Sequence, residues 1–200
     1  MGTLTLNEAT HEYRVDNRPV LGVSQIIAAA GLSDMSWVSE EALKRGSYVH
    51  EAIQLHVEGT LDEKELDPKL VGYLNAWKAF ERESGFKVRQ VNGIWQSEIR
   101  KAHPIYGYAG TMDHLGDLAG HFTVLDVKSG DPDDWHGDQL AGYAMLEDFP
   151  AGNPRPNRAN LYVRPDGSYR FVERKNREDF ETFKAALTIA RQRIARGLVK

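Results

Sequence analysis

The chain has 200 residues and a net charge of −4, with 41% hydrophobic and 27% charged residues, a balance that fits a folded globular protein and argues against disorder. No apolar run reaches the length of a membrane span, and no basic segment followed by an apolar core opens the chain, so a cytoplasmic, non-membrane protein is expected. The absence of cysteine removes disulfides, thiol nucleophiles, iron–sulfur clusters and cysteine zinc sites, so any metal must be held by Asp, Glu, His or backbone oxygen.

Read in order, LTLNEATHEYRV, DNRP and VLGVS predict a hairpin with Asn17 and Pro19 as turn residues. Ser24 is placed to cap a short helix that Gly31 ends, and a longer helix is expected over about 37–58. Asp67-Pro68 reads as a cap followed by a first-turn proline, opening a helix that stops at Gly85. The period then changes from helical to alternating. VRQVNGIWQSEIR, YGYAGTMDHLGDL and HFTVLDVKS read as three consecutive strands. A helix follows over about 134–147, then the loop PAGNPRPNR, a hairpin around Asp166-Gly167 and a last helix from Glu178 to Arg196. This order predicts one α/β (α+β) domain over residues 1–200, a central mixed sheet flanked by helices, with an N-terminal hairpin and a C-terminal helix. The charge is uneven along it. Residues 1–154 carry 13 Lys+Arg against 24 Asp+Glu, and residues 155–200 carry 12 against 5. The C-terminal quarter is either a surface for a polyanion or a solvated basic helix face.

Four tripeptides have the form acid-x-Lys: Asp62–Lys64, Asp67–Lys69, Asp126–Lys128 and Glu173–Lys175. Only Asp126 ends a strongly apolar strand. A tight turn at Ala119-Gly120 places Asp113 directly opposite Asp126, and directly opposed residues share a face with Cβ atoms about 5 Å apart. Lys128 projects from the same face. Two carboxylates this close repel unless a cation or a proton lies between them. Hard oxygen ligands suit Mg²⁺ or Mn²⁺, and with a lysine nearby the set fits phosphodiester hydrolysis. The alternative is a solvated Asp/Asp/Lys cluster. HEAIQLH is not a zinc-protease motif, because His50 and His56 lie about 240° apart around a helix.

The motifs Gly46…His50, Gly110…Asp113, Asp126-Val-Lys128 and Gln139…Tyr143 occur in the order of a known pattern. Over residues 20–147 the chain resembles the RecB-type branch of the PD-(D/E)xK nucleases, which includes phage-type and mitochondrial genome-maintenance exonucleases. The resemblance implies a restriction-endonuclease-like core and a set of roles. Asp113 and Asp126 would be metal ligands with the Val127 carbonyl, and Lys128 the catalytic lysine. His50 would complete the metal shell or contact phosphate, and Gln139 and Tyr143 would position the lysine or the DNA strand. Glu98, in IWQSEIR, is a further acid near the metals or an ordinary exposed strand residue. Arg45, Tyr108 and Ser129 are candidate DNA contacts beside these motifs, with packing the rival role for Tyr108.

The expectation is a Mg²⁺- or Mn²⁺-dependent deoxyribonuclease without an iron–sulfur cluster, an exonuclease acting on single-stranded DNA or duplex ends. Its setting would be recombination, repair or phage DNA metabolism in a bacterial or phage-infected cell. A recombination or single-strand-binding protein is a candidate partner. The rivals are an endonuclease on the same scaffold and a nuclease-fold protein that binds nucleic acid or protein without cutting. The basic hairpin and helix of residues 155–200 lie outside the matched core.

Overall fold

A computed structural model describes residues 2–8, 10–34, 38–147 and 155–199. Its strands are β1 (Leu4–Asn7), β2 (Glu12–Val15), β3 (Arg18–Gly22), β4 (Lys87–Val88), β5 (Gln90–Val91), β6 (Ile94–Trp95), β7 (Ser97–Ala102), β8 (Tyr108–Leu118), β9 (His121–Lys128), β10 (Asn157–Val163) and β11 (Tyr169–Glu173). Its helices are α1 (Val23–Ala30), α2 (Glu40–Glu58), α3 (Pro68–Ser84), α4 (Trp135–Leu146) and α5 (Glu178–Ala195). The main sheet runs β1-β2-β3-β8-β9-β10-β11, with β7 and β4 also paired to β8. It is mixed: β3 is parallel to β8 and β10 to β9, while β8–β9, β7–β8 and β10–β11 are antiparallel. Helices cover both faces, as the alternating pattern predicted. One core packs Met112, Leu115 and Val124 against α1, α4 and α5. The other packs Leu125, Val127 and Leu161 against Val49, Ile53, Trp77 and Phe80 of α2 and α3. Because adjacent residues of a strand point to opposite faces, Val124 and Leu125 enter different cores.

Helix ends follow local chemistry. The Asp67 side chain accepts from the Lys69 N–H ahead of Pro68, and Gly85 closes α3 in the left-handed region at φ 69°. Gly31 closes α1 the same way. Ser24 is not the cap of α1. Gly22 holds that position, with its N–H donated to the Gln25 side chain, which frees Ser24 for a different partner described below. Helix α2 begins at Glu40 with the Ser39 hydroxyl accepting from Ala42 N. The expected start near position 37 lies outside the described residues, as do residues 150–154 of the proline-rich loop.

Two strand expectations are corrected. The N-terminal segment makes three strands, not one hairpin, because Asp16 and Asn17 both take positive φ and form the turn alone, leaving Pro19 inside β3 opposite Arg14. VRQVNGIWQSEIR is not one strand. Asn92 and Gly93 take positive φ and fold Gln90–Trp95 into a separate two-stranded hairpin.

The site is positioned by how β8 divides its edges. One edge carries β7 and β4. The other carries β3 at residues 108–109 and β9 at residues 114–118. Between them Gly110–Asp113 have no strand partner on that edge, so β9 parts from β8 just as it reaches Asp126. No helix among the described residues is long and apolar enough to cross a membrane.

Candidate metal centre

The β8–β9 turn has Ala119 at φ 49° and Gly120 at φ 78°, a two-residue turn that matches the right-handed twist of the strands. It sets the expected register, from Leu118 opposite His121 to His114 opposite Leu125. One step further stand Asp113 and Asp126. Here the ladder gives way to side-chain bonding, and the Val127 N–H donates to Asp113 Oδ2 at 2.6 Å. On the opposite edge, β7 pairs Ser97 with His114 and Ile99 with Met112 but skips Glu98. Glu98 has φ 52°, an unfavourable conformation for a residue with a Cβ, and such local strain tends to accumulate at functional sites. The kink aims its carboxylate at the same place.

His50 arrives from α2. Its Nδ1 lies 3.4 Å from Glu98 Oε1 and 3.5 Å from Asp113 Oδ2. These three side chains offer ligand atoms all within 4.8 Å of one another. Next to them, the Lys128 ammonium lies 3.0 Å from Asp126 Oδ1 and 2.9 Å from Oδ2. The Asn160 amide donates to Asp126 Oδ2 at 2.8 Å. Asp126 is 1% exposed and Asp113 7%; both depend on these partners, since an unpaired buried carboxylate is costly.

The electrostatics follow from that packing. Burial raises the Asp113 pKa to about 7, with the Asp126 and Glu98 charges adding to the effect and His50 opposing it. Burial works against a charged His50, but the Asp113 and Glu98 carboxylates outweigh it and lift the pKa to about 9. Burial likewise opposes the Lys128 charge, and Asp126 and Asp113 more than restore it. The site therefore contains more acid than its two cationic side chains comfortably neutralise. An oxygen-rich donor set with one imidazole, one of its acids buried and driven toward protonation, fits a hard divalent cation. His50, Glu98 and Asp113 would hold it, with Asp126 at its border.

The structure assembles His50, Glu98, Asp113, Asp126 and Lys128 in one place, and Glu98 is a central member of the group. Val127 takes part through its amide. Gln139 and Tyr143 lie one turn apart on α4. Gln139 Nε2 donates to Ser24 Oγ at 3.0 Å and to the Tyr143 hydroxyl at 3.3 Å; among the described residues no hydrogen bond joins either to Lys128. The Tyr143 ring packs on Gly110, where a Cβ would come within 2.9 Å of Tyr143 Cε1, which gives the glycine of the Gly110…Asp113 motif a packing reason. Gly46 lies against the end of β9, 3.6 Å separating a hypothetical Cβ from Ser129 Oγ. Arg45 is half-buried, and its buried Nε has no hydrogen-bond partner among the described residues.

Tyr108 is a correction. It is fully buried, its ring meets Phe183, and its hydroxyl donates to the Gly142 carbonyl at 2.8 Å. It is a core residue and cannot stack on a base.

Sequence reading missed the support for Asp126. The Asn160 Oδ1 accepts from Arg174 Nε at 2.8 Å, and Arg174 Nη2 donates to the Tyr162 hydroxyl and the Asp133 carbonyl. His136 Nδ1 accepts from Asp133 N–H, so the Tyr162 hydroxyl, 2.8 Å away, donates to it. Burial and the nearby Lys128 charge hold the His136 pKa down at about 4. A signal was present: Asn160 interrupts the apolar run ANLYV as Asp126 interrupts TVLDV.

No family model and no curated protein sequence matches the chain. Among solved structures, the fold is similar to one described as "Putative exonuclease" from Eubacterium rectale, with a TM-score of 0.57 and 17% identity over 90% of this chain and 83% of that one. At this identity the likeness establishes a shared fold, the mixed sheet with helices on both faces.

Proposed function

We propose that the protein is a Mg²⁺- or Mn²⁺-dependent deoxyribonuclease of the RecB-type PD-(D/E)xK kind, acting as an exonuclease on DNA ends. The observation that carries this reading is the meeting of Asp113, Asp126, Lys128 and Glu98 at the point where β9 leaves β8. When bound, a divalent cation polarises a phosphoryl oxygen and makes a bound water more acidic. The protein's own part is positioning. Asp126, braced by Asn160, holds the Lys128 ammonium at the border of the acidic group, where it stabilises negative charge developing on the phosphate. His50 adds a second cationic or metal-binding group from α2. The likeness to a structure described as "Putative exonuclease" supports the choice of reaction.

The test is cleavage of end-labelled linear DNA, wild type beside Asp126→Ala, with Mg²⁺, with Mn²⁺ and with EDTA. Metal-dependent cleavage that the substitution abolishes is expected. Cleavage that survives EDTA, or that Asp126→Ala leaves unchanged, overturns the reading. Covalently closed circular DNA should remain intact, because an exonuclease needs an end.

A further inference from the structure

The basic C-terminal quarter folds around a cavity of about 610 Å³ whose lining includes Arg155, Arg158, Arg174, Lys175, Arg177 and one acid, Glu173. Its cations are of two kinds. Arg158 is structural: it is buried and donates to the Gly137 and Asn176 carbonyls and to Asp179. Lys175 pairs with Glu173 at 2.7 Å. Arg155 and Arg177 are exposed, and among the described residues neither is paired with a carboxylate. The Arg155 guanidinium lies 4.7 Å from the centre of the Phe180 ring, a cation–π contact that uses none of its N–H groups in a carboxylate pair. Arg174 is half-buried, and its described partners, Asn160, Asp133 O and the Tyr162 hydroxyl, are all neutral acceptors. The cavity thus holds at least three cations without an acidic partner among the described residues.

This cavity is wired to the metal centre. Arg174 bonds Asn160, and Asn160 bonds Asp126. Arg158, Asn160 and Tyr162 alternate along β10 and so share the face that Asp126 occupies on the adjoining strand. From Asn160 to Asn157 is three residues, roughly 10 Å at the rise of a strand. A DNA strand leaving the carboxylates therefore reaches the cavity within a few nucleotides. Guanidinium groups bind phosphate in a planar, two-pronged geometry.

Resting on the nuclease reading above, we infer that this cavity is a backbone anchor. Arg155 and Arg177 take internucleotide phosphates of the strand whose scissile bond lies at the metal centre, and Arg174, its Nε and Nη2 already bonded, adds positive charge behind them.

The test is binding without cleavage. A fluorescein-labelled single-stranded 20-mer is titrated with the full chain in EDTA, across 50–200 mM salt, for wild type, R155A/R177A and R82A. Arg82 is exposed on α3, bonded to its neighbour Glu83, and serves as a control for the loss of a surface arginine away from the cavity. The double variant should bind about tenfold more weakly, and its salt slope should fall by about 1.4, the value for two phosphates on a single strand. R82A should match wild type. Circular dichroism melts of both variants should match wild type, since the substituted side chains are exposed. No binding by wild type, or a double variant within twofold of R82A in affinity and slope, overturns the anchor. A wild-type preference for a 5′-phosphorylated over a 5′-hydroxyl strand that the double variant loses also overturns it, by pointing to a terminal phosphate. The two readings fail separately: cleavage without this charge dependence removes the anchor alone, and charge-dependent binding without metal-dependent cleavage removes the nuclease alone.

Discussion

Asp113 and Asp126 are neighbours across a hairpin, yet their surroundings are opposite. Asp126 is fully provided for by the folded chain, with an ammonium on both oxygens and an amide on one. Asp113 has one backbone N–H and otherwise faces Glu98, Asp126 and an imidazole. The first is an ion pair that stabilises the fold and aims a lysine. The second is an acid whose one cationic neighbour, His50, is shared with Glu98 and only partly offsets its burial. Burial alone does not distinguish them, because both are nearly inaccessible; the sign of the neighbouring charge does.

The strongest way to break this contrast is to remove each charge by an isosteric change. Asp113→Asn and Asp126→Asn should each lower DNA cleavage about 1,000-fold, or about 4 kcal/mol of barrier, in a steady-state assay with Mg²⁺. Their effects on stability should then differ in sign. In urea denaturation without divalent cation, Asp126→Asn should destabilise by about 2–4 kcal/mol, because it leaves Lys128 without its counter-charge. Asp113→Asn should stabilise by about 1–2 kcal/mol at pH 8, because it removes a buried charge, and its repulsion with Asp126 and Glu98, that the His50 contact only partly offsets. The pH dependence fixes the cause. An acid whose folded pKa is raised to about 7 costs most stability when ionised, so the gain of Asp113→Asn should shrink as the pH falls from 7 towards 4, where both proteins carry a neutral group. Two variants shifted in the same direction would defeat the contrast.

Smaller effects sharpen it. Asn160→Ala should cost about 10–100-fold in activity, the usual loss when a ligand's supporting partner is removed, with cleavage kinetics as the measure. Gly110→Ala should destabilise by about 1–3 kcal/mol through overpacking, since its Cβ would meet Tyr143, Leu146 and Val23 side chains at 2.9, 3.1 and 3.1 Å; thermal unfolding checks it. Smallest is the titration of His136. With its folded pKa held near 4 against about 6.5 unfolded, the ring should stay neutral in NMR spectra from pH 8 to 5. Its contribution to stability is present above pH 6.5 and lost as the pH falls from there towards 4.

The candidate site was legible where local rules govern it. The Ala119-Gly120 turn determines a register, that register brings Asp113 level with Asp126 one step beyond the last ladder pair, and the apolar run before Asp126 separates it from three similar tripeptides. The caps at Asp67, Gly31 and Gly85 depend on neighbours one to four residues away, and they too were readable. What failed depends on distant partners. Tyr108 looks like a base-stacking residue beside a motif, and only the packing of α5 beneath β8 buries it. Ser24 has the chemistry of a cap, but Gln139, 115 residues on, is its partner. Glu98 was read as a further acid near the metals, and only its central place in the group, which depends on a backbone kink within β7, was out of reach. Asn160 carried a visible signal, a lone amide in an apolar strand, whose meaning needed the β9–β10 register.

The β8–β9 turn also acts as the zero of a ruler. From Ala119-Gly120 the chain counts the same number of residues outward along each strand to reach Asp113 and Asp126, and the two marks coincide only because the turn has two residues. The carboxylates sit roughly 20 Å from that zero at the rise of a strand. A single glycine inserted there would touch nothing in the site, yet it would slide one mark past the other by roughly 3.3 Å and turn Asp126 to the wrong face of the sheet. A solvent-side loop thus sets the spacing of the chemistry, and its length should be as intolerant of change as the carboxylates themselves.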